Sequence, residues 1–414
     1  MKVFSTFSFA TRRDLSILFV AGLLFWSSLA SLLPTLSLYL ENIGSTPHQV
    51  GIIMGSFAIG LLLFRPWLGS VADVRGRKLV LLIGLVVVAI APIGYLFVSS
   101  MPLLIALRAF HGLSVAAFTT GYSALVADIS PLQNRGEVIG YMSLVNPIGM
   151  AIGPALGGFL QAEVGYTVLF LTSAGIGAVG LVCASGLTAN NPQAVAMAVH
   201  SVDRLVKPDS AWRVIGSPRL RVPTLVMLMV GLAFGTLSTF VPLFIKEAEV
   251  NLNAGLFYTA AAIASFTVRL LVGRASDQYG RGRFISLGLV FYAVSMLMLW
   301  QANSAVAFLW AGAIEGAGAG IFLPTMISLV ADRSLPEERG RVFGLCMTGF
   351  DLGIAIAGPT LGFFAGSFGY RGLFGLAAGL VVLALVVFVG FCSKTLADSV
   401  RYSLGSGRDV YAVR

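Results

Sequence analysis

Charged residues in this chain are gathered into short breaks, and the stretches between the breaks are apolar. Apolar runs fall at about 15–40, 50–72, 79–100, 102–127, 138–161 and 164–187. After a polar stretch they resume at about 222–245, 255–275, 284–302, 304–331, 342–366 and 370–392. Each is close to the roughly 20 residues that a helix needs to cross a bilayer. In lipid every backbone polar group must be satisfied internally, so these runs are expected to be helices. The pattern predicts an all-α membrane protein with twelve transmembrane helices. It divides into an N-terminal six-helix bundle over 1–187, a linker over 188–221, a C-terminal six-helix bundle over 222–392 and a polar, mobile tail over 393–414. The first run, Leu15–Leu40, is too long for a signal-peptide core and reads as a retained helix.

Composition agrees. Of 414 residues, 57% are hydrophobic and 11% are charged, against about 25% charge in a soluble protein. The net charge of +9 raises the question of nucleic acid, but its placement answers it. With a cytoplasmic N-terminus, 22 of the 27 Lys and Arg fall in cytoplasmic segments. Lys246 and Arg371 fall outside, and Arg65, Arg108 and Arg269 lie within spans. That asymmetry is the positive-inside signal. Both termini are therefore expected on the cytoplasmic side of a cell membrane, with the linker between them on the same side. Cys183, Cys346 and Cys392 suggest neither a disulfide nor a metal site. No phosphate-binding G-x-x-x-x-G-K-[ST] loop and no nucleophile–base set is present. No enzyme activity, cofactor or metal is expected.

The chain also repeats itself at an offset of 204 residues. Gly69-Ser-Val-Ala-Asp73-Val-Arg-Gly76-Arg77-Lys78 returns as Gly273-Arg-Ala-Ser-Asp277-Gln-Tyr-Gly280-Arg281-Gly-Arg283. Arg65 pairs with Arg269, Asp128 with Asp332, Arg135-Gly136 with Arg339-Gly340, and Gly165-Tyr166 with Gly369-Tyr370. Six crossings per half keep the halves in one orientation, so the repeats are parallel, related by an axis along the membrane normal.

These residues resemble the major facilitator superfamily over nearly the whole chain. The loop at Gly69–Lys78 is similar to that family's motif between helices 2 and 3, and the loop at Gly273 to its weaker twin. Arg108-Ala-Phe-His-Gly112 resembles the helix-4 signature. Gly149-Met-Ala-Ile-Gly153-Pro154-Ala-Leu-Gly157-Gly158 resembles the helix-5 signature of proton-coupled exporters. The resemblance implies a carrier that exports a small organic solute in exchange for protons, working as a monomer by alternating access. It also implies a cytoplasmic latch built from Gly69, Asp73, Gly76, Arg77, Asp128, Asp277, Arg281 and Asp332; the bland alternative is a charged turn that serves topology alone. One departure stands out. Many such exporters carry a carboxylate inside helix 1, and this span has none, with Asp14 and Glu41 at its ends.

Ionisable residues inside spans are costly, so they should face the interior or water. Arg108 and His111 are three residues apart on one helix face. Glu315 is the repeat partner of His111, and Asp351 lies near the middle of span 11. Glu315 or Asp351 is the expected proton carrier, with Arg108 as counter-charge and His111 as relay or substrate contact; structural roles are the alternative for each. Gly149, Gly153 and Gly157 form a smooth face that, with Pro154, suits either tight packing or a gating contact between the halves. Arg65 and Arg269 are expected to snorkel. Trp26, Phe118, Tyr122, Asn146, Phe234, Phe322 and Met326, with Phe25 and Phe240, are the expected cavity wall. Such a wall suits amphipathic solutes better than sugars. The rival readings are a proton-independent uniporter, a lipid or lysolipid transporter, and a non-transporting sensor or assembly protein on the same fold.

Overall fold

The computed structural model describes residues 7–131, 134–188, 216–335 and 338–413, and leaves aside the side chains at 273, 274, 277 and 339–341. The centre of the expected linker, 189–215, falls outside the described residues. So does the side chain of Asp277.

Helices account for every regular element among the described residues. They are α1 (Phe9–Ser31), α2 (Leu36–Asn42), α3 (Pro47–Arg75), α4 (Arg77–Gly94), α5 (Met101–Ile129), α6 (Arg135–Met142) and α7 (Val145–Ser185). Then follow α8 (Arg221–Glu247), α9 (Ala254–Tyr279), α10 (Arg281–Gln301), α11 (Ala305–Asp332), α12 (Arg339–Phe391) and α13 (Leu396–Ser403). Among the described residues, 10 helical stretches are long and apolar enough to cross a membrane. Two of them, Arg135–Ser185 with 51 residues and Val342–Phe391 with 50, are far longer than one crossing needs. Each is folded in two. Gly165 (φ 85°) breaks α7 and Gly369 (φ 63°) breaks α12. A side chain would strain this left-handed backbone, which is why glycine sits at both corners. The corners restore the expected twelve spans. Large apolar side chains such as Leu63, Phe97, Val182, Leu271 and Phe363 are exposed, as lipid-facing positions require.

The chain forms two compact units. Unit 1 comprises Met1–Leu36 and Ser56–Lys207; unit 2 comprises Ser37–Gly55 and Pro208–Arg414. Unit 2 thus takes in most of α2 and the first turns of α3. There, a Cβ on Gly51 would collide with the Gly358 carbonyl, and Lys246 Nζ meets Glu41 Oε2 at 2.7 Å.

Packing inside the units repeats as the sequence does. In unit 1, α1 packs on α7 and α4 on α5; in unit 2, α8 packs on α12 and α10 on α11. The glycines give the register. A Cβ on Gly112 would collide with the Phe57 carbonyl, and one on Gly316 with the Ala261 carbonyl. A Cβ on Gly84 would lie 2.6 Å from the Phe118 nitrogen, and one on Gly288 2.9 Å from Phe322 Cβ. Every member of these contacts is matched by its partner 204 residues away. Membrane helices gain from such van der Waals approach, because lipid offers them no hydrophobic drive to associate.

The tail departs from expectation. α13 lies against α10 and α12, and Tyr402, Ser399 and Ser403 are buried. The segment is docked, not mobile.

Candidate functional site

Among the described residues, each unit holds a cluster of buried polar side chains within its membrane helices. In unit 1, α5 carries Arg108 and His111, both buried. The Arg108 guanidinium lies 4.4 Å from the centre of the Phe57 ring, and the Tyr95 hydroxyl is 3.3 Å from His111 Nδ1. Phe57 also meets the His111 ring edge to face at 5.8 Å. Arg108 Nε and His111 Nε2 have no hydrogen-bond partner. A guanidinium and an imidazole are thus boxed by aromatic rings with donor or acceptor capacity to spare.

In unit 2, α11 carries Glu315, with 4% of its surface exposed. Its carboxyl interacts electrostatically with the hydroxyls of Tyr258 from α9 and Tyr292 from α10, and Tyr292 in turn with Arg269 of α9. The Tyr258 hydroxyl is committed to α8, 3.3 Å from the Leu237 carbonyl oxygen and 3.4 Å from that of Ser238. The Tyr292 hydroxyl and the Glu315 carboxyl face each other closely enough to interact, without a well-formed hydrogen bond, and Arg269 Nε has no hydrogen-bond partner. A buried polar atom without a partner loses its solvation with nothing in return, so this carboxyl with Tyr292 and Arg269 is the candidate site of unit 2.

Several expected roles look different in place. Arg269, expected to snorkel, turns into the bundle and joins the Glu315 group. The cation grouped with Glu315 inside unit 2 is therefore Arg269, whereas Arg108 belongs to the unit 1 group. Asp351 is buried in α12, next to Phe350, whose ring meets that of Phe234 at 5.8 Å. The glycine face of α7 packs within unit 1. Gly149 lies against Trp26, Gly153 and Pro154 are buried, and Gly153 and Gly157 abut the Ser27 and Ser31 carbonyls of α1. Phe118, Tyr122, Phe322 and Met326 fill the interiors of the units. Phe118 stacks on Phe25 at 3.8 Å and on Tyr122 at 5.1 Å, while Phe322 meets Tyr292 at 6.2 Å. Close helix packing around Gly84 and Gly288 leaves these rings no open face. Trp26, Asn146 and Phe234 stay partly accessible.

The loop motifs form matched ion pairs. Arg77 pairs with Asp128, and its Nη1 also donates to the Ala124 carbonyl at 3.2 Å. Arg281 Nε meets Asp332 Oδ2 at 2.6 Å. Gly76 (φ 101°) and Gly280 (φ 92°) supply the backbone turn between the helices. Asp73 is exposed at the end of α3, and Gly69 borders open space.

Comparison with known proteins is decisive on class. The family model described as Major Facilitator Superfamily matches residues 18–274 and 251–402. The chain belongs to the major facilitator superfamily. Among its relatives, the quinolone resistance protein NorA of Staphylococcus aureus is 23% identical over 360 residues, covering 84% of this chain and 89% of NorA. The multidrug resistance protein MdtG of Serratia proteamaculans is 26% identical over 402 residues, covering 92% and 94%. The solved nucleoside transporter NupG shares the fold with a TM-score of 0.75 at 15% identity, covering 92% of this chain and 99% of its own. A bacterial homologue of the lysosomal transporter Spinster, solved inward-facing, superposes at 0.71 and 15% identity, covering 97% and 98%. The chain is a multi-pass membrane transporter of this superfamily, and its relatives and fold neighbours are carriers, not enzymes.

Sequence reading did not single out Tyr95, Tyr258 or Tyr292, or the cluster around Arg333 at the tail. A tyrosine inside an apolar run carries no charge to flag it. The signal for Arg333 was present as a mismatch between repeats, with Ile129 at the matching position.

Proposed function

We propose that this protein exports an amphipathic organic solute in exchange for protons by alternating access, with Glu315 as the proton-carrying group. The observation that carries this reading is the buried Glu315 carboxyl facing the Tyr292 hydroxyl, with no well-formed hydrogen bond to hold it, inside a membrane helix bundle. An ionised carboxyl in hydrocarbon costs a few kcal/mol when unpaired, so binding a proton is its less costly state. Hydration, or a change in the distance to Arg269, would favour releasing it. Tyr292 can donate to the ionised form or accept from the neutral one. Asp351 and the Arg108–His111 pair are the further candidates for the proton path.

The relatives' names, quinolone resistance and multidrug resistance, support organic solutes as cargo. The partly accessible Trp26, Asn146 and Phe234 supply aromatic surface with one amide, a wall suited to amphipathic solutes. Arg77–Asp128 and Arg281–Asp332 act as the latch of each unit. The distribution of Lys and Arg supports a cell-membrane protein with both termini cytoplasmic; its action as a monomer rests on the family resemblance alone.

The test is transport of a panel of amphipathic solutes into proteoliposomes under an imposed proton gradient. Wild-type uptake should follow the gradient and collapse with an ionophore, and Glu315→Gln should bind solute but lose the response to pH. Uptake that ignores the gradient in the wild type would leave the uniporter or lipid-transporter reading in its place.

A further inference from the structure

The second copy of the loop motif departs from the first at one telling place: Gly282 stands where Lys78 stands in unit 1. Lys78 does a specific job. Its Nζ donates to the Ser185 carbonyl at 2.9 Å and the Leu187 carbonyl at 2.7 Å, capping the C-terminal end of α7. A lysine at 282 has no room. A Cβ there would collide with the Tyr402 carbonyl of the tail, and Gly280 and Gly405 approach to 3.4 Å by the same measure.

The capping task passes to another residue. Arg333, at the end of α11, is 1% exposed and heads the largest fully buried side chains. All three of its guanidinium nitrogens are used. Nε donates to Asp409 Oδ2 at 2.7 Å, Nη1 to the Arg219 carbonyl at 2.9 Å and Nη2 to the Cys392 carbonyl at 3.0 Å. The last of these caps the end of α12, as Lys78 caps α7. The Tyr411 and Tyr402 rings lie 5.2 and 5.9 Å from the guanidinium. Val413 N donates to the Asp332 carbonyl at 2.8 Å, on the residue that pairs with Arg281.

We propose that the C-terminal segment 396–413 is a clasp, docked on unit 2 through Arg333 and Asp409 and seated over Gly282, that braces the α9–α10 turn and its Arg281–Asp332 pair in place of the lysine of unit 1. The chain's own tail is the ligand of this surface. Compared with unit 1, this surface lacks a side chain at 282 and has a buried cation at 333.

Cys392 reports the docking. It is 1% exposed, its Sγ lies 3.8 Å from the Ser399 carbonyl oxygen and 3.6 Å from Ser403 Oγ, and burial pushes the thiol up from its ordinary range. A docked tail therefore keeps this thiol slow to react. The experiment uses the purified full chain in detergent, a maleimide with the labelled cysteine located by mass spectrometry, and amide hydrogen exchange. Two variants are compared with wild type: Gly282→Lys, which fills the seat, and Asp409→Asn, a milder change that opens the ion pair should the first fail to fold. Each is expected to raise Cys392 labelling at least about tenfold and to speed exchange at residues 279–283. The matching turn of unit 1, residues 75–79, should not change. Unchanged labelling in Asp409→Asn would show that the cluster does not hold the tail. Faster labelling with unchanged exchange at 279–283 would show a tail that docks without bracing anything. Either result overturns the proposal, and neither depends on knowing the transported solute.

Discussion

Unit 1 and unit 2 share a scaffold down to the glycines at which their helices touch, yet they bury opposite chemistry. Arg108 and His111 of unit 1 correspond to Gly312 and Glu315 of unit 2. Gly312 has no space for an arginine, because a Cβ there would lie 2.7 Å from the Phe257 carbonyl oxygen. Phe57, on which Arg108 rests, is replaced by Ala261, and Leu299 stands where Tyr95 stands. Unit 2 brings in Tyr258, Tyr292 and Arg269 around its carboxyl instead. The comparison teaches that the two units share what fixes backbone distance and differ in the ionisable groups they bury. The polar ends differ in the same way, with a lysine cap in unit 1 and a docked tail in unit 2.

The largest expected effect tests the shared scaffold. Gly112→Val and Gly316→Val should each cost about 3 kcal/mol or more, because the new side chain meets backbone and not a movable side chain. Thermal unfolding of the purified variants would measure it. If one half tolerates the change and the other does not, the units are less alike in packing than their glycines suggest.

The next effect separates the units. Arg333→Met empties a fully buried cation site and leaves the part-buried Asp409 without its partner, and should cost about 3 kcal/mol. Ile129→Leu at the matching position should stay below about 1.5 kcal/mol. Similar losses at both positions would mean that Arg333 matters only as bulk. A smaller effect is expected at the exposed pairs. Arg77→Ala and Arg281→Ala, each on a partner about two-fifths exposed, should change stability by about 1 kcal/mol or less. Their consequence should appear instead in transport rate, and a large stability loss would make them structural pillars.

Much of the scaffold was legible in the sequence because it rests on local signals. Apolar runs gave the spans, and Gly165 and Gly369 stood out as a repeat pair whose role as corners only the fold reveals. The ion pairs of the loop motif followed from recurrence at 204 residues. What stayed hidden depends on tertiary packing. Phe118 and Phe322 suit a cavity wall, although a core or lipid-facing place is commoner for any one aromatic, and only helix distance settles it. Tyr292 is silent in an apolar run until its hydroxyl is seen facing Glu315. The tail looked mobile because its polarity was visible and its docking partner, Arg333, was not. The missing lysine at 282 was read as a weaker copy of the motif, when it was room left for another segment.

The central claim is that the carboxyl of unit 2, and not the cationic pair of unit 1, carries the proton. Its most direct test is proton release on adding a transported solute to the purified carrier in weakly buffered detergent, measured with a pH-sensitive dye. The wild type, His111→Gln and Asp351→Asn should release protons on binding, and Glu315→Gln should bind without releasing any. Normal release from Glu315→Gln would contradict the account and move the proton site elsewhere.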